Sequence, residues 1–185
     1  MSKPLAAAGR LELTTERLRL RPFVPDDAEE FARAVRESAP DMTRWMPWCN
    51  AAYTKSEAYH WFRLCSASLA EGTGYEFGLF SAGTGRLLGG AGLNFFHPEH
   101  NFCNLGYWLR ASARGQGLAA EVVPALARFG FSRLGLTRIE IVIAEGNQAS
   151  IATARRAGAL FEGRARNRLL MAGVPVDALV FSLIP

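Results

Sequence analysis

Arg114-Gly115-Gln116-Gly117-Leu118-Ala119 is the stretch whose residue types and spacing most clearly suit chemistry. The apolar and aromatic run Leu105 to Leu109 before it suits a strand, and the pattern from Leu118 to Val122 begins a helix. Two glycines in the turn let a ligand approach the backbone. A helix N-terminus presents free N–H groups and a partial positive charge. Arg114 adds a charge-assisted contact, so the corner can hold a phosphate or pyrophosphate. The same glycines would also serve a bare turn. Gly115-x-Gly117-x-x-Ala120 fits the loose dinucleotide fingerprint, but Arg110 to Arg114 separate strand from glycine and hairpins precede it.

The elements that must position this corner follow from period and punctuation. Arg17 to Phe23 alternates as a strand, and residues 25–38 read as a helix with acidic residues in its first turn. Pro40 ends that helix in this reading, leaving 39–54 irregular. Thr54 and Glu57 have capping-box spacing for a second helix that stops at Gly72. Residues 75–96 read as a hairpin, 102–110 as a third strand, and 117–135 as a helix that Pro124 should bend. A β-branched strand (137–145), a helix capped by Asn147 and ended by Gly158, and two strands around Ala172-Gly173 complete the chain. The order is β-α-α-β-β-β-α-β-α-β-β, a mixed α/β domain over 13–185 with a leader expected over 1–12.

Composition narrows the classes. At 185 residues with 49% hydrophobic and 21% charged residues, the chain suits one soluble globular domain. A net charge of +4 fits an anionic small ligand and lacks the bias of a dedicated nucleic-acid binder. Cys49, Cys65 and Cys103 are odd in number and widely spaced, which argues for a reducing cytoplasm and against a disulfide framework. With His60, His97 and His100 they make no convincing zinc site, so no metal is expected. No run approaches the roughly 18 apolar residues of a membrane span. Residues 1–10 are too weak in charge and apolar length for a signal peptide.

The corner also matches the Arg/Gln-x-x-Gly-x-Gly/Ala signature of the GNAT N-acetyltransferases, and the match extends outward. "LGYWL" precedes it, Glu121 follows it, and "IEIVIAEGNQASIATARRAGA" and "FEGRAR" come next. The ordered set resembles the ribosomal-protein (RimJ/RimL-like) branch from about Leu13 to Ile184. The resemblance implies a mostly antiparallel sheet in which two parallel strands splay apart around acetyl-CoA. The strand through Trp108 and Leu109 would pair with pantetheine. The N–H groups of Gln116, Gly117, Leu118 and Ala119 would cradle the diphosphate, beside Arg114 and Gly115.

The same resemblance implies direct attack of an amine on the thioester, which needs a base, an oxyanion donor and a proton for the departing thiolate. Ser150 matches a serine placed near the CoA sulfur, with Asn147 beside it; both could equally cap their helix. Trp45 and Trp48 match a loop bordering the acceptor, and could equally be core anchors. Tyr107 could relay a proton through water. The usual base positions hold Asn104 and Leu169, leaving Glu76, His97, Glu99, His100 and Asp177 as candidates. His97 and His100 read as solvated loop residues, and the arginines at 155, 156, 164, 166 and 168 receive no role.

A weak base favours an amine that is already partly neutral, as an α-amine is and a lysine is not. The expected acceptor is therefore a protein N-terminal α-amine, such as that of a ribosomal protein, taken up by a monomer or homodimer. The alternatives are a small-molecule amine acetyltransferase and a non-catalytic acyl-CoA-binding module.

Overall fold

The computed structural model describes residues 11–185. Strands β1 (Leu13–Thr14) and β2 (Leu18–Arg21) lead into helices α1 (Ala28–Met42) and α2 (Lys55–Glu71). Strands β3 (Tyr75–Ser81), β4 (Leu87–His97) and β5 (Phe102–Leu109) follow, then α3 (Leu118–Leu134), β6 (Arg138–Ala144), α4 (Gln148–Arg156), β7 (Leu160–Met171) and β8 (Val174–Leu183). Among the described residues one sheet takes all the strands in the order β1-β2-β3-β4-β5-β6-β8-β7, and only the β5–β6 pair is parallel. The two-residue β1 is too short to show a period, so alternation does not reveal it. Most of the expected leader, 1–10, lies outside the described residues; Leu11 packs on the core and Glu12 pairs with Arg19.

Local signals set most boundaries. In α2 the Thr54 hydroxyl accepts from the Glu57 N–H while the Glu57 carboxylate accepts from the Thr54 N–H, and Gly72 ends the helix at φ 71°. The Asn147 side chain caps α4 by accepting from the Ser150 N–H. Pro124 interrupts nothing: α3 runs on through it, and the Ala120 carbonyl simply loses its helical donor. The expected end of the first helix at Ser38 is corrected, since α1 continues through Pro40 to Met42. A proline in the last turn forfeits one bond, while Ala39 and Met42 gain burial.

Strand alternation divides the core between the two faces of the sheet. Phe77, Leu93, Leu105 and Ile141 pack against Leu126 and Phe129 of α3 and Ile151 of α4. Phe80 and Leu87, with Trp108 alongside, pack against Phe31 and Val35 of α1 and Phe62 of α2. Residues 76, 94, 104 and 108 therefore share the α1/α2 face, and Tyr107 and Leu109 point to the other. No helix among the described residues is long and apolar enough to cross a membrane.

Candidate active site

The parallel pair opens. β5 and β6 are in register at Phe102–Arg138, Cys103–Ile139 and Asn104–Glu140, and there the ladder stops although β5 runs on to Leu109 and β6 to Ala144. The backbone of Leu105 to Leu109 on that side is left without a strand partner. Tyr107 spans the gap instead. Its hydroxyl lies 2.9 Å from Ser150 Oγ and donates to the Ser150 carbonyl at 3.2 Å. Burial pushes the Tyr107 hydroxyl up in pKa, opposed by the Ser150 bond, so it is a protonated phenol at neutral pH.

β5 leads through a short turn (Ala111–Ala113) to the glycine corner. Gly115 (φ 74°) and Gly117 (φ 75°) hold the left-handed backbone that side chains with a Cβ rarely adopt. Gly117 is the N-cap of α3, and no side chain caps the first N–H groups there. Arg114 donates through Nε to the Leu109 carbonyl at 3.1 Å and through Nη1 to Asp41 at 3.0 Å. Its Nη2 is buried without a hydrogen-bond partner. Gln116 sits at the corner with its side chain turned onto the Ser112 carbonyl, at 3.2 Å. These elements wall a cleft of about 550 Å³ that also takes in Trp108, Leu109, Leu118, Ala119, Asn147 and Ser150. Arg44 and Arg156 line it too, so three guanidinium groups face one acid, Asp41. Sequence reasoning assigns those two arginines no role. The cleft suits a long ligand with an anionic end.

Braces from the N-terminal strands and from α1 hold the corner. Glu121 in the first turn of α3 accepts from the Thr15 hydroxyl and from Arg17, through its backbone N–H at 2.9 Å and its Nε at 2.7 Å. Arg17 Nη1 donates to the Gln116 carbonyl at 2.9 Å. Arg110, 1% exposed, donates to Glu37, to Glu30 at 2.7 Å and to the Leu87 carbonyl at 2.9 Å. The Arg110 hydrogen bond is the main reason Glu37 is held down at about 2, aided by the Ser112 N–H.

A second cavity, of about 380 Å³, opens on the α1/α2 face. It meets the first cleft at Met46, Tyr107 and Trp108, which line both. Trp48 lies here; Trp45, read as its companion, lies on the wall of the other cleft under the Arg44 guanidinium, 4.5 Å from the ring centroid. Gly90 and Gly106 are among its lining residues. Gly92 faces Glu76 across β3–β4 and Gly106 across β4–β5, and a Cβ on Gly92 would fall 2.1 Å from Glu76 Oε2.

Glu76 is the one carboxylate on this cavity. Asn104 donates to Asn94 Oδ1 at 2.9 Å, and Asn94 donates to Glu76 Oε1 at 2.9 Å. Burial pushes Glu76 above the ordinary carboxylate pKa, with the Asn94 bond opposing. The other base candidates lie elsewhere. His97 stacks on Phe102 at 4.2 Å, Glu99 and His100 occupy the exposed β4–β5 turn, and Asp177 pairs with Arg164. Leu169 is on β7, beyond the cavity. Asn94 carries no signal in the sequence, because only the pairing register brings it between Glu76 and Asn104.

Residues 17–160 match the profile of the acetyltransferase (GNAT) domain. The chain belongs to the GNAT acetyltransferase family. It is a GNAT N-acetyltransferase on a mostly antiparallel sheet with one parallel pair. Bacillus subtilis YdaF, provisionally described as a ribosomal N-acetyltransferase, is 28% identical over 174 residues, 91% of this chain and 92% of its own. A Vibrio cholerae structure provisionally described as a ribosomal-protein-serine acetyltransferase is 36% identical with a TM-score of 0.82, covering 95% of this chain and 98% of that one. The ribosomal L7/L12 acetyltransferase RimL, solved with coenzyme A, has the same fold at a TM-score of 0.85 and 21% identity, covering 94% and 97% of the two chains.

Proposed function

We propose that this GNAT enzyme transfers acetyl from acetyl-CoA to a primary amine, the N-terminal α-amine of a protein such as a ribosomal protein, in the cytoplasm. One observation carries the reading: two clefts, one cationic and one aromatic, meet at Tyr107 and Trp108 on the open side of β5. The anionic end of acetyl-CoA belongs in the first. Leu118, Ala119 and the other uncapped N–H groups of α3, with the buried and unpartnered Arg114 Nη2, suit its diphosphate. Pantetheine takes the strand's place beside Trp108 and Leu109, which brings the thioester to the junction. The likeness to proteins named as ribosomal acetyltransferases supports the acceptor class.

The chemistry then divides between the two faces of the sheet. Glu76, at the far end of the amide chain from Asn104, accepts the proton of the attacking amine. Nitrogen bonds to the thioester carbon, the carbon–sulfur bond breaks, and the thiolate takes a proton from the Tyr107–Ser150 pair, which regains one from solvent as Glu76 releases the proton it took. The carboxylate that the branch usually places at Asn104 is thus supplied from β3, two strands away.

Thermal unfolding with acetyl-CoA, and with NAD as control, tests the reading. Ligand at 100 times its dissociation constant adds about 2.7 kcal/mol, or roughly 5–10 °C for a chain of this size. Acetyl-CoA alone should stabilise the protein, and peptides with free N-termini should then release CoA faster than lysine ε-amines. Absence of stabilisation at saturating acetyl-CoA would overturn the reading.

A further inference from the structure

The aromatic cavity carries more than a place for an amine. Phe23, Phe31, Trp48, Tyr53, Trp61 and Trp108 contribute to its walls, and among the described residues no lysine, arginine or histidine lines it. Phe31 meets Trp108 edge-on at 5.5 Å, and Trp48 meets Trp108 at 5.8 Å and Tyr53 at 6.2 Å. Rings wedged against one another hold the slot open before a ligand arrives. At the mouth Trp48 and Trp61 remain 43% and 38% exposed. Large aromatics left in water at the rim of a cavity are the expected mark of a surface that a ligand covers.

Charge narrows the ligand further. The single titrating carboxylate on the cavity, Glu76, favours a cationic or neutral amine and repels an anion. A free amino acid would carry its carboxylate next to the amine, into a site with no counter-ion. A peptide N-terminus carries an uncharged amide there instead. The volume, about 380 Å³, is at the small end for ligand pockets and suits one residue, not an extended peptide.

We infer that the acceptor is a polypeptide whose first residue has a bulky apolar side chain, aromatic before aliphatic, seated among Trp48, Trp61 and Trp108 with its α-amine at Glu76. This rests on the proposed acetyltransferase reading and specifies its substrate. Small or acidic first residues and free amino acids are discriminated against.

Peptides identical beyond their first residue, led by Phe, Leu, Ala or Asp, compared by CoA release at saturating acetyl-CoA, test this together with phenylalanine amide against phenylalanine. The expected kcat/KM for the Phe-led peptide exceeds that of the Ala-led one by at least about tenfold, the span a hydrophobic pocket provides. The amide should exceed the free acid by a similar factor. Trp48→Ala and Trp61→Ala should each reduce the Phe-to-Ala ratio, and their melting temperatures report whether they fold. Equal rates across the series, or preference for the Ala-led peptide, would overturn the inference while leaving acetyl transfer standing. If no acceptor releases CoA, tryptophan-fluorescence titration of the CoA-loaded protein decides. Tighter binding of the Phe-led peptide upholds the selectivity although the transfer reading falls, and equal binding overturns the selectivity as well.

Discussion

The two clefts that meet at β5 are built on opposite principles. The cleft at the glycine corner is largely backbone: a splayed strand, two left-handed glycines and an uncapped helix end, all within Leu105 to Ala120. The aromatic cavity is largely side chain, assembled from Phe23, α1, the α1–α2 loop, α2, β3, β4 and β5. A backbone site is specified by where a Cβ would interfere, so it leaves a short signature of glycines. A side-chain site is specified by register and packing between segments far apart in the chain, and its members look like core residues until the sheet is assembled. The division suits the proposed chemistry, in which one cleft takes an unvarying ligand and the other sets the choice of acceptor.

Changes confined to one cleft should therefore break one property and spare the other. The largest effect is expected from Glu76→Gln, which removes the proposed proton acceptor and keeps the shape. General base catalysis contributes about 10²–10⁴-fold, so kcat should fall within that range while stabilisation by acetyl-CoA is unchanged. Gly117→Val should do the reverse. It places a β-branched residue at φ 75° in the mouth of the cationic cleft, raising the dissociation constant for acetyl-CoA by about tenfold or more while kcat at saturation is largely kept. Gly92→Ala sharpens the comparison. The added methyl, 2.1 Å from Glu76 Oε2 and 2.8 Å from the Tyr75 carbonyl, must push the carboxylate aside, so kcat should drop roughly tenfold with acetyl-CoA binding intact.

The smallest effect concerns the brace that both clefts share. Glu37 has its pKa lowered to about 2 by Arg110, from an ordinary value of 4.5. Since the folded pKa is the lower one, its stabilisation is present above pH 4.5 and is lost as pH falls toward 2. Screening by solvent leaves about 1–2 kcal/mol of it at neutral pH. Glu37→Gln should lower the melting temperature by about 3–6 °C at pH 7 and flatten the acid limb of stability, measured by thermal unfolding across pH.

Most of the architecture is legible in the sequence because its signals are local. The Thr54–Glu57 box, Asn147, Gly72 and Gly135 bound their helices, period two marks the strand at Arg17–Phe23, and turn glycines and β-branched content mark the later strands. The first helix reads short because a proline weighs heavily in a linear pattern and lightly in a last turn whose neighbours are buried. At the candidate site the turn from Arg114 to Gly117 and the start of α3 at Leu118 are readable from the linear pattern. Tyr107 and Ser150 stand out as well, though without the contact that joins them. Trp45 and Trp48 look like one pair and lie in different clefts. Glu76 is one acid among five candidates. Only the pairings Glu76–Gly92 and Asn94–Asn104 bring it to the cavity, and no linear spacing encodes two antiparallel registers.

Glu76 as the proposed proton acceptor joins both clefts into one reaction, and the pH dependence of kcat tests this proposal most directly, with wild type and Glu76→Gln measured side by side at saturating acetyl-CoA. A buried base with a raised pKa should impose an acid-side fall in kcat above the ordinary carboxylate value of 4.5. That limb should be lost or displaced in Glu76→Gln. An identical limb in both proteins, with kcat within about threefold, would contradict the assignment of Glu76 and with it the division of labour between the two faces of the sheet.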